Sequence, residues 1–358
     1  MNHYDIFVIG SGPAGQKAAI QGAKAGRKVL VCEQIKEVGG ACVTRGTIPS
    51  KALRERALDQ AKAIARMRSL NISDRGTNLG VAALIGEMGE VVKAHDAYMT
   101  EQLERNDIDV IHGRASFVDD KRVNVRYVNG SVETFTADYF VIATGSKPRL
   151  PDHVRVDHEF IFDSDSILSL AYLPQSMVVL GGGVIACEYA SIFALLGVKV
   201  TLIDRFPMPL GFLERDLAER FLESFERGGG SFIGEAQIEE VKFDGISVVD
   251  TRFSDGTVVK ADKVLCALGR VSQLDGLMTA DAGVRVNEQQ LVEVTETGQT
   301  SVPHIYAAGD VIGPPSLASA SMEQGRRAAC AILGLDPGAH GEWIPTGIYT
   351  VPEMACVA

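Results

Sequence analysis

The chain has 358 residues, of which 46% are hydrophobic and 23% charged, a balance typical of a globular protein with a sizeable core and two or three domains. Its net charge of -11 disfavours nucleic acid or an anionic membrane surface as a partner, because basic surfaces bind phosphate groups. It has no run of 18 apolar residues, no N-terminal pattern of a signal peptide and no zinc spacing among its six cysteines, so we expect a cytoplasmic protein without a metal.

The first elements along the chain have the pattern of a dinucleotide-binding fold. A strand over Ile6–Ile9 leads into Gly10-x-Gly12-x-x-Gly15, a helix over 13–25 follows, and the next strand ends at Glu33. In this pattern the first glycine makes a tight turn, the second lets the backbone approach a pyrophosphate, and the third lets the helix pack on the strand. The helix N-terminus attracts the phosphates, and the carboxylate can bind both hydroxyls of a ribose.

The same pattern returns later in the chain. A strand over Val178–Leu180 is followed by Gly181-x-Gly183-x-x-Ala186, a helix, and a strand that ends at Asp204. Glu33 follows Gly10 by 23 positions, and Asp204 follows Gly181 by the same 23. Asp204 favours the free 2′-hydroxyl of NAD. The neighbouring Arg205 could offset this by binding the 2′-phosphate of NADP, or could be an ordinary surface residue, so the nucleotide preference stays open.

Each glycine turn is followed by a predicted hairpin. Asn129-Gly130 joins strands over Arg122–Val128 and Ser131–Thr136, and Asp255-Gly256 joins a second pair, because both dipeptides supply the positive φ angles of tight turns. Buried strands follow and end at Gly145 and Gly269. A last strand ends at Asp310, and a helix over 317–333 follows.

These motifs together resemble the flavoprotein family of dihydrolipoamide dehydrogenase, glutathione reductase and mercuric reductase. The resemblance rests on the two glycine turns, on Ala143-Thr-Gly145 and on Ile305–Asp310, and it covers nearly the whole chain. It implies an α/β fold with two Rossmann-like domains of the three-layer β/β/α type. It implies a discontinuous FAD-binding domain at 1–149 and 273–342, an inserted NAD(P)-binding domain at 150–272, and the start of an interface domain at 343–358.

The segment between the first turn and its hairpin indicates a subfamily. The disulfide reductases of the family have two cysteines separated by four residues, whereas this chain has Cys42 and then Thr47, which cannot close a disulfide. The segment instead resembles that of the soluble, Si-specific, FAD-dependent pyridine nucleotide transhydrogenases, as do the runs 163–169, 187–193 and 345–350. This resemblance implies hydride exchange between NAD(H) and NADP(H) through the flavin.

The resemblance also implies roles for individual residues. Asp310 would hold the ribityl chain, and Lys51 would lie near flavin N5 and pair with Glu188. Cys42, near a predicted helix start and Arg45, would have a lowered thiol pKa and contact the flavin without being required, or be a structural remnant.

The candidate catalytic residues are Lys51, Glu188 and Cys42. The candidate FAD residues are Gly10, Gly12, Ala14, Gly15, Glu33, Gly40, Cys42, Lys51, Ala115, Thr144, Gly145, Asp310 and Ala318; those for NAD(P) are Gly181, Gly183, Ile185, Glu188, Asp204, Arg205 and Gly269.

Two other functions stay open at the level of sequence. One is an NADH-dependent diaphorase or dihydrolipoamide dehydrogenase-like enzyme with another electron acceptor, which Asp204 favours and Thr47 disfavours for lipoamide. The other is a nucleotide-binding fragment without turnover. The expected interface domain would begin with a strand over Thr346–Val351, and most of it would lie beyond Ala358. The full-length form is expected to be a homodimer, whereas the oligomeric state of this chain is open.

Overall fold

The computed structural model describes residues 2–70, 81–339, 341 and 343–357. Met1, Glu342 and Ala358, at which limits of the predicted domains fall, lie outside the described residues. The helices are α1 (Pro13–Lys24), α2 (Gly40–Thr44), α3 (Thr47–Ser69), α4 (Val81–Glu104), α5 (Val184–Leu195), α6 (Arg215–Arg227) and α7 (Ala318–Leu333), with short 3₁₀ turns at Ile167–Ser169 and Asp310–Ile312.

The strands of the first half are β1 (Asn2–Ile9), β2 (Val29–Glu33), β3 (Asp109–His112), β4 (Arg114–Asp119), β5 (Arg122–Arg126), β6 (Val132–Ile142), β7 (Ser146–Pro148), β8 (Ile161–Asp163) and β9 (Ser176–Leu180). Those of the second half are β10 (Lys199–Ile203), β11 (Ser231–Ile233), β12 (Ile238–Phe243), β13 (Val249–Phe253), β14 (Val258–Ala261), β15 (Lys263–Cys266), β16 (Arg270–Ser272), β17 (Ile305–Ala307), β18 (Pro345–Ile348) and β19 (Met354–Val357).

The chain forms two compact units. The first comprises Met1–Thr47, Val92–Lys147 and Val271–Glu342, and the second comprises Ile48–Val91, Pro148–Arg270 and Trp343–Ala358. One main difference from the predicted domains is that Trp343–Ala358 clusters with the second unit instead of standing apart. The other is Ile48–Val91, which also clusters with the second unit. Leu53 and Met88 of this segment are buried in one core cluster with Phe162 and Phe193. Helical periodicity shows that a segment has an apolar face, but it does not show against which residues that face packs.

The first unit is built around a parallel sheet. Its strands lie in the order β3-β2-β1-β6, and β17 is parallel to the C-terminal end of β6. The N-terminal part of β6 pairs antiparallel with β5, and β5 pairs antiparallel with β4. The predicted hairpin strand and the buried strand after it are therefore one continuous strand, β6.

Apolar side chains cover both faces of this sheet. On one face Ile6 and Val8 pack with Ala18 of α1 and Ala328 of α7. On the other face Phe7 and Phe140 pack with the antiparallel strands, and Phe117 of β4 meets the ring of Phe140 edge-on at 5.5 Å. Alternate residues of a strand point to opposite faces, so a strand that is apolar throughout needs a layer on each side.

The second unit repeats this plan. Five parallel strands lie in the order β11-β10-β9-β15-β8, and β12-β13-β14 form an antiparallel sheet. Val178 and Leu180 face the antiparallel strands, while Met177 and Val179 face the cluster that contains α5. Both units thus have helices on one face of a parallel sheet and antiparallel strands on the other, which confirms the predicted Rossmann-like, three-layer α/β fold.

The prediction of a strand over Thr346–Val351 is wrong in its extent. The strand ends at Ile348 and pairs antiparallel with Met354–Val357. The backbone N–H groups of Tyr349 and Val351 donate instead to the side chains of Glu188 and Ser191, so they are not available to a strand ladder. Among the helices in the described ranges, none is both long and apolar enough to cross a membrane.

Candidate functional site: two dinucleotide turns and an ion pair

The two glycine turns have the same backbone construction. Gly10 and Gly181 have φ of 105° and 108°, a region that side chains rarely adopt. A Cβ on Gly10 would lie 2.4 Å from the carbonyl oxygen of Ala143, and a Cβ on Gly181 would lie 2.5 Å from that of Ala267. The N–H groups of Ala143 and Ala267 in turn donate to Ile9 and Leu180, both at 2.9 Å. The repeat read from the sequence is therefore a repeat of hydrogen bonds.

The second glycine of each turn leaves the helix N-terminus open. Gly12 and Gly183 are the N-cap residues of α1 and α5, with φ of -65° and -79°. A Cβ on Gly183 would meet no atom within 4 Å, and one on Gly12 would meet only Gly40 Cα, at 4.0 Å. Since the first N–H groups of a helix have no partner within the helix and carry partial positive charge, each turn can accept a phosphate group.

The third position differs between the turns. A Cβ on Gly15 would lie 1.9 Å from the carbonyl oxygen of Gly10, so only glycine is possible there. Ala186 is accommodated in the second turn, where it is fully buried. The neighbouring Ala14 is buried and Ile185 is partly buried, so these two contribute mainly packing and backbone to their turns.

Glu33 is held rigidly at the end of β2. Its Oε2 atom accepts hydrogen bonds from Ser11 N at 2.9 Å and Ser11 Oγ at 2.7 Å, and its Oε1 atom accepts from Gln34 N at 2.8 Å. Ser11 Oγ also accepts a hydrogen bond from Gly39 N at 3.0 Å. The acid and the glycine turn are thus joined in one hydrogen-bond network.

Asp204 takes the equivalent place in the second turn. A Cβ on Gly182 would lie 2.1 Å from Asp204 Oδ2, so the carboxylate packs directly on the backbone between the two glycines. Burial raises the pKa of Asp204 above its ordinary value, although backbone N–H donors, including Arg205 N at 2.7 Å, oppose this. The Arg205 side chain is exposed, and its guanidinium lies 4.7 Å from the centroid of the Phe206 ring.

Other predicted FAD residues gather around the first turn. A Cβ on Gly40 would lie 2.8 Å from Gly12 Cα, so α2 begins against the turn. Thr144 follows Ala143 directly, and its Oγ1 atom is buried without a hydrogen-bond partner in the part of the chain that the structure describes. An unsatisfied buried hydroxyl costs free energy unless a ligand or a water molecule supplies its partner. Asp310 accepts a hydrogen bond from Ser146 Oγ at 2.7 Å.

The remaining predicted residues are placed less directly. Gly145 and Gly269 end the equivalent segments after β6 and β15, with φ of 69° and 100°. Ala318 is the first residue of α7, whereas Ala115 lies buried in β4, in the antiparallel layer. Cys42 lies in α2 and is partly exposed.

Lys51 and Glu188 form a close ion pair in the second unit. Lys51 Nζ lies 2.6 Å from Glu188 Oε2, and the two side chains are 27% and 5% exposed. Glu188 Oε1 accepts a hydrogen bond from Tyr349 N at 2.9 Å, so both carboxylate oxygens are used. The sequence indicated Lys51 and Glu188 only through the family resemblance. Tyr349 falls in the run 345–350 that carries the resemblance, but the sequence assigned it no role, because it lies 161 positions from Glu188 and has no spacing signal.

Three of the buried thiols, those of Cys32, Cys187 and Cys266, are poorly suited to chemistry that needs a thiolate. Burial raises the pKa of Cys32 to about 12 and that of Cys266 to about 11, and it also raises the pKa of Cys187. Since the thiolate is the reactive form, these three cysteines are inert at neutral pH.

Comparison with known proteins agrees with the resemblance. Residues 4–325 match the family described as pyridine nucleotide-disulphide oxidoreductase. Two curated proteins named soluble pyridine nucleotide transhydrogenase are 39% identical over 368 aligned positions (Pseudomonas entomophila strain L48) and 40% identical over 364 (Yersinia pestis strain Pestoides F). Both alignments cover 99% of this chain and 76% of the relative.

Solved structures of similar fold include LpdA and a flavoprotein disulfide reductase. LpdA from Mycobacterium tuberculosis has a TM-score of 0.91 at 27% identity, and the match covers 99% of this chain and 78% of LpdA. The HOCl-induced flavoprotein disulfide reductase RclA from Escherichia coli has a TM-score of 0.87 at 26% identity, with 99% and 77% covered.

Proposed function

Because this chain belongs to the pyridine nucleotide-disulphide oxidoreductase family, we propose that it transfers hydride between NAD(H) and NADP(H) through FAD, as a transhydrogenase of the Si-specific class. The observation that carries the proposal is the pair of equivalent dinucleotide turns in one chain, combined with Thr47 at the position where a disulfide reductase needs its second cysteine. A protein that binds two dinucleotides but lacks a dithiol can pass electrons between nucleotides without a disulfide substrate. The similarity to proteins named soluble pyridine nucleotide transhydrogenase supports this choice.

The first turn is proposed to hold FAD. The N-terminus of α1 offers its free N–H groups to a pyrophosphate, the lack of side chains at Gly12 and Gly40 lets α2 begin against the turn without covering it with a side chain, and Glu33 would bind a ribose. Thr144 and Asp310, which follow the C-terminal ends of the parallel neighbours β6 and β17, supply further polar groups. These residues fit a flavin dinucleotide in chemistry and position.

The second turn is proposed to hold the nicotinamide dinucleotide. Gly183 leaves the first turn of α5 free for the pyrophosphate, and Asp204 would accept hydrogen bonds from the ribose hydroxyls of NAD. Arg205, exposed beside Asp204, could bind the additional phosphate of NADP. A site with both residues can therefore serve the two substrates in turn.

The flavin, when bound, supplies the chemistry by accepting hydride from one nicotinamide and passing it to another. Lys51 is proposed to stabilise the negative charge of the reduced state, with Glu188 orienting its ammonium group. Cys42 is proposed to contact the flavin without being required, so Cys42→Ser should retain activity.

The test is anaerobic reduction of the purified protein, followed by flavin absorbance, with NADH and NADPH in separate runs. The proposal expects both to bleach the flavin, and the other oxidised nucleotide to restore the colour. Failure of NADPH to reduce the flavin would refute it. A second candidate, an NADH-dependent diaphorase, is favoured by the packing of Asp204 on the turn, and an assay with a quinone as acceptor distinguishes it.

A further inference from the structure

The ring of Tyr349 lies beneath the ammonium group of Lys51. Lys51 Nζ is 4.8 Å from the ring centroid, within the range of a cation–π interaction. The ring also covers the backbone of Gly347, where a Cβ would lie 3.0 Å from Tyr349 Cε2. The absence of a side chain at Gly347 therefore allows the ring to lie where it meets the ammonium group.

The backbone of Tyr349 is attached to the same carboxylate that pairs with Lys51. Tyr349 N donates to Glu188 Oε1 at 2.9 Å, while Lys51 Nζ lies 2.6 Å from Glu188 Oε2. Lys51, Glu188 and Tyr349 thus form a closed set of three contacts. The Glu188 side chain is only 5% exposed, so water screens its two contacts weakly, whereas Tyr349 is 43% exposed and the contact of its ring with Lys51 is screened more.

The residues next to Tyr349 are anchored to two helices. Val351 N donates to Ser191 Oγ at 3.1 Å, and Ser191 Oγ donates to the carbonyl oxygen of Glu188 at 3.0 Å. Arg54 Nε donates to the carbonyl oxygen of Thr350 at 3.0 Å. Since α3 carries Arg54 and α5 carries Ser191, the segment cannot shift without breaking bonds to both helices.

We propose that Tyr349 is a positioning residue for the reaction: its ring fixes the place of the Lys51 ammonium group. The inference rests on the proposed function, in which Lys51 stabilises the reduced flavin. Besides Glu188, the ammonium group has one other hydrogen-bond partner among the described residues, Ser50 Oγ, at a long 3.4 Å, and these two contacts leave one side of it unheld. The ring holds that side, because the attraction of an aromatic face is strongest for a cation directly over it.

The experiment uses the FAD-loaded protein and four variants: Tyr349→Leu, Tyr349→Phe, Lys51→Met and Tyr172→Leu. Tyr172 is a matched control in the same unit, because its ring lies 5.0 Å from another lysine, Lys263 Nζ, which does not contact Glu188. The measurements are the midpoint potential of the bound flavin, the anaerobic rate of its reduction by NADH, and the melting temperature.

Tyr349→Leu is expected to make the potential more negative and to slow reduction about two- to fivefold, the loss expected for one cation–π contact. Tyr349→Phe keeps the aromatic face and is expected to match the wild type, as is Tyr172→Leu. A wild-type potential in Tyr349→Leu, with a shifted potential in Lys51→Met, would overturn the inference and leave the proposed function intact. Equal loss in the Leu and Phe variants would also overturn it, since the ring would then not be responsible. A wild-type potential in Lys51→Met would instead refute the role of Lys51 in the proposed function.

Discussion

Alanine at Gly183 or Gly12 should weaken the binding of one dinucleotide at least about tenfold and leave the fold intact. A Cβ on Gly183 would meet no atom within 4 Å, and one on Gly12 would only touch Gly40 Cα. Both positions have φ values that alanine adopts freely. Alanine is a poorer N-cap than glycine by about 0.5 kcal/mol, whereas restriction of the unfolded chain stabilises the variant by about the same amount. The free energy of unfolding should therefore change by less than about 1 kcal/mol.

The effect on binding should be much larger. The Cβ would occupy the space through which a pyrophosphate approaches the first turn of the helix. A hydrogen bond to a charged group contributes about 1.5–3 kcal/mol, so the loss of even one raises the Kd at least about tenfold. Because the protein itself has room for the methyl group, a loss of binding can only come from contact with the ligand.

The assay compares flavin content after purification, the Kd for NADH and thermal unfolding. Gly183→Ala should retain flavin and lose NADH affinity, whereas Gly12→Ala should lose flavin. Gly181→Ala is the contrasting control, because its Cβ would lie 2.5 Å from a carbonyl oxygen and the variant should unfold. Wild-type NADH affinity in Gly183→Ala would refute the reasoning, since no phosphate could then lie against that turn.

Three further outcomes are expected. Asp204→Ala should weaken the binding of NADH about tenfold, and Arg205→Ala should weaken the binding of NADPH. If titrations show that either variant weakens the binding of both nucleotides equally, the assignment of the two residues is wrong. Glu188→Leu removes the charged partner of Lys51 and should reduce the free energy of unfolding, measured by urea denaturation, by about 2 kcal/mol. This is below the ~3–5 kcal/mol of a fully buried pair, because Lys51 is partly exposed, and Glu188→Gln should lose less. Iodoacetamide at pH 8 should label Cys42 well before Cys32, because a pKa of about 12 leaves about one Cys32 thiol in ten thousand ionised. Peptide mass spectrometry measures the two labelling rates, and equal rates would contradict the burial argument.

Local features of the fold could be predicted from the sequence because short-range rules determine them. The equal spacing from Gly10 to Glu33 and from Gly181 to Asp204 corresponds to two turns with matching hydrogen bonds. The turn at Asp255-Gly256 likewise joins β13 and β14 as its composition indicates. The continuity of β6 could not be seen, because its two halves pair with different strands and have different burial patterns.

Long-range features of the candidate site were not predictable in this way. The Lys51–Glu188 pair joins residues 137 positions apart and was reached only through family resemblance. Tyr349 was missed because its contribution depends on a backbone N–H and a ring face, neither of which leaves a residue pattern. The predicted strand through Val351 extended too far for the same reason, since side chains of α5 take up the N–H groups that a ladder would use.

The two turns also differ in a way that suits their proposed ligands. Ser11 lies between the glycines of the first turn and donates two hydrogen bonds to Glu33, which is buried. In the second turn the equivalent position is 182, and it has to be glycine, because the Asp204 carboxylate occupies the place of a Cβ. The aspartate side chain is shorter than that of Glu33 and lies against the backbone of the turn. The first acid is thus held by side-chain and backbone donors, whereas the second is partly exposed, has a raised pKa and lies beside the exposed cation of Arg205. Under the proposed function FAD stays bound through every turnover while the nicotinamide dinucleotides exchange and differ by one phosphate. A rigid, buried acid suits FAD, which stays bound. A partly exposed acid next to an exposed arginine suits the two nicotinamide dinucleotides, which must bind and dissociate.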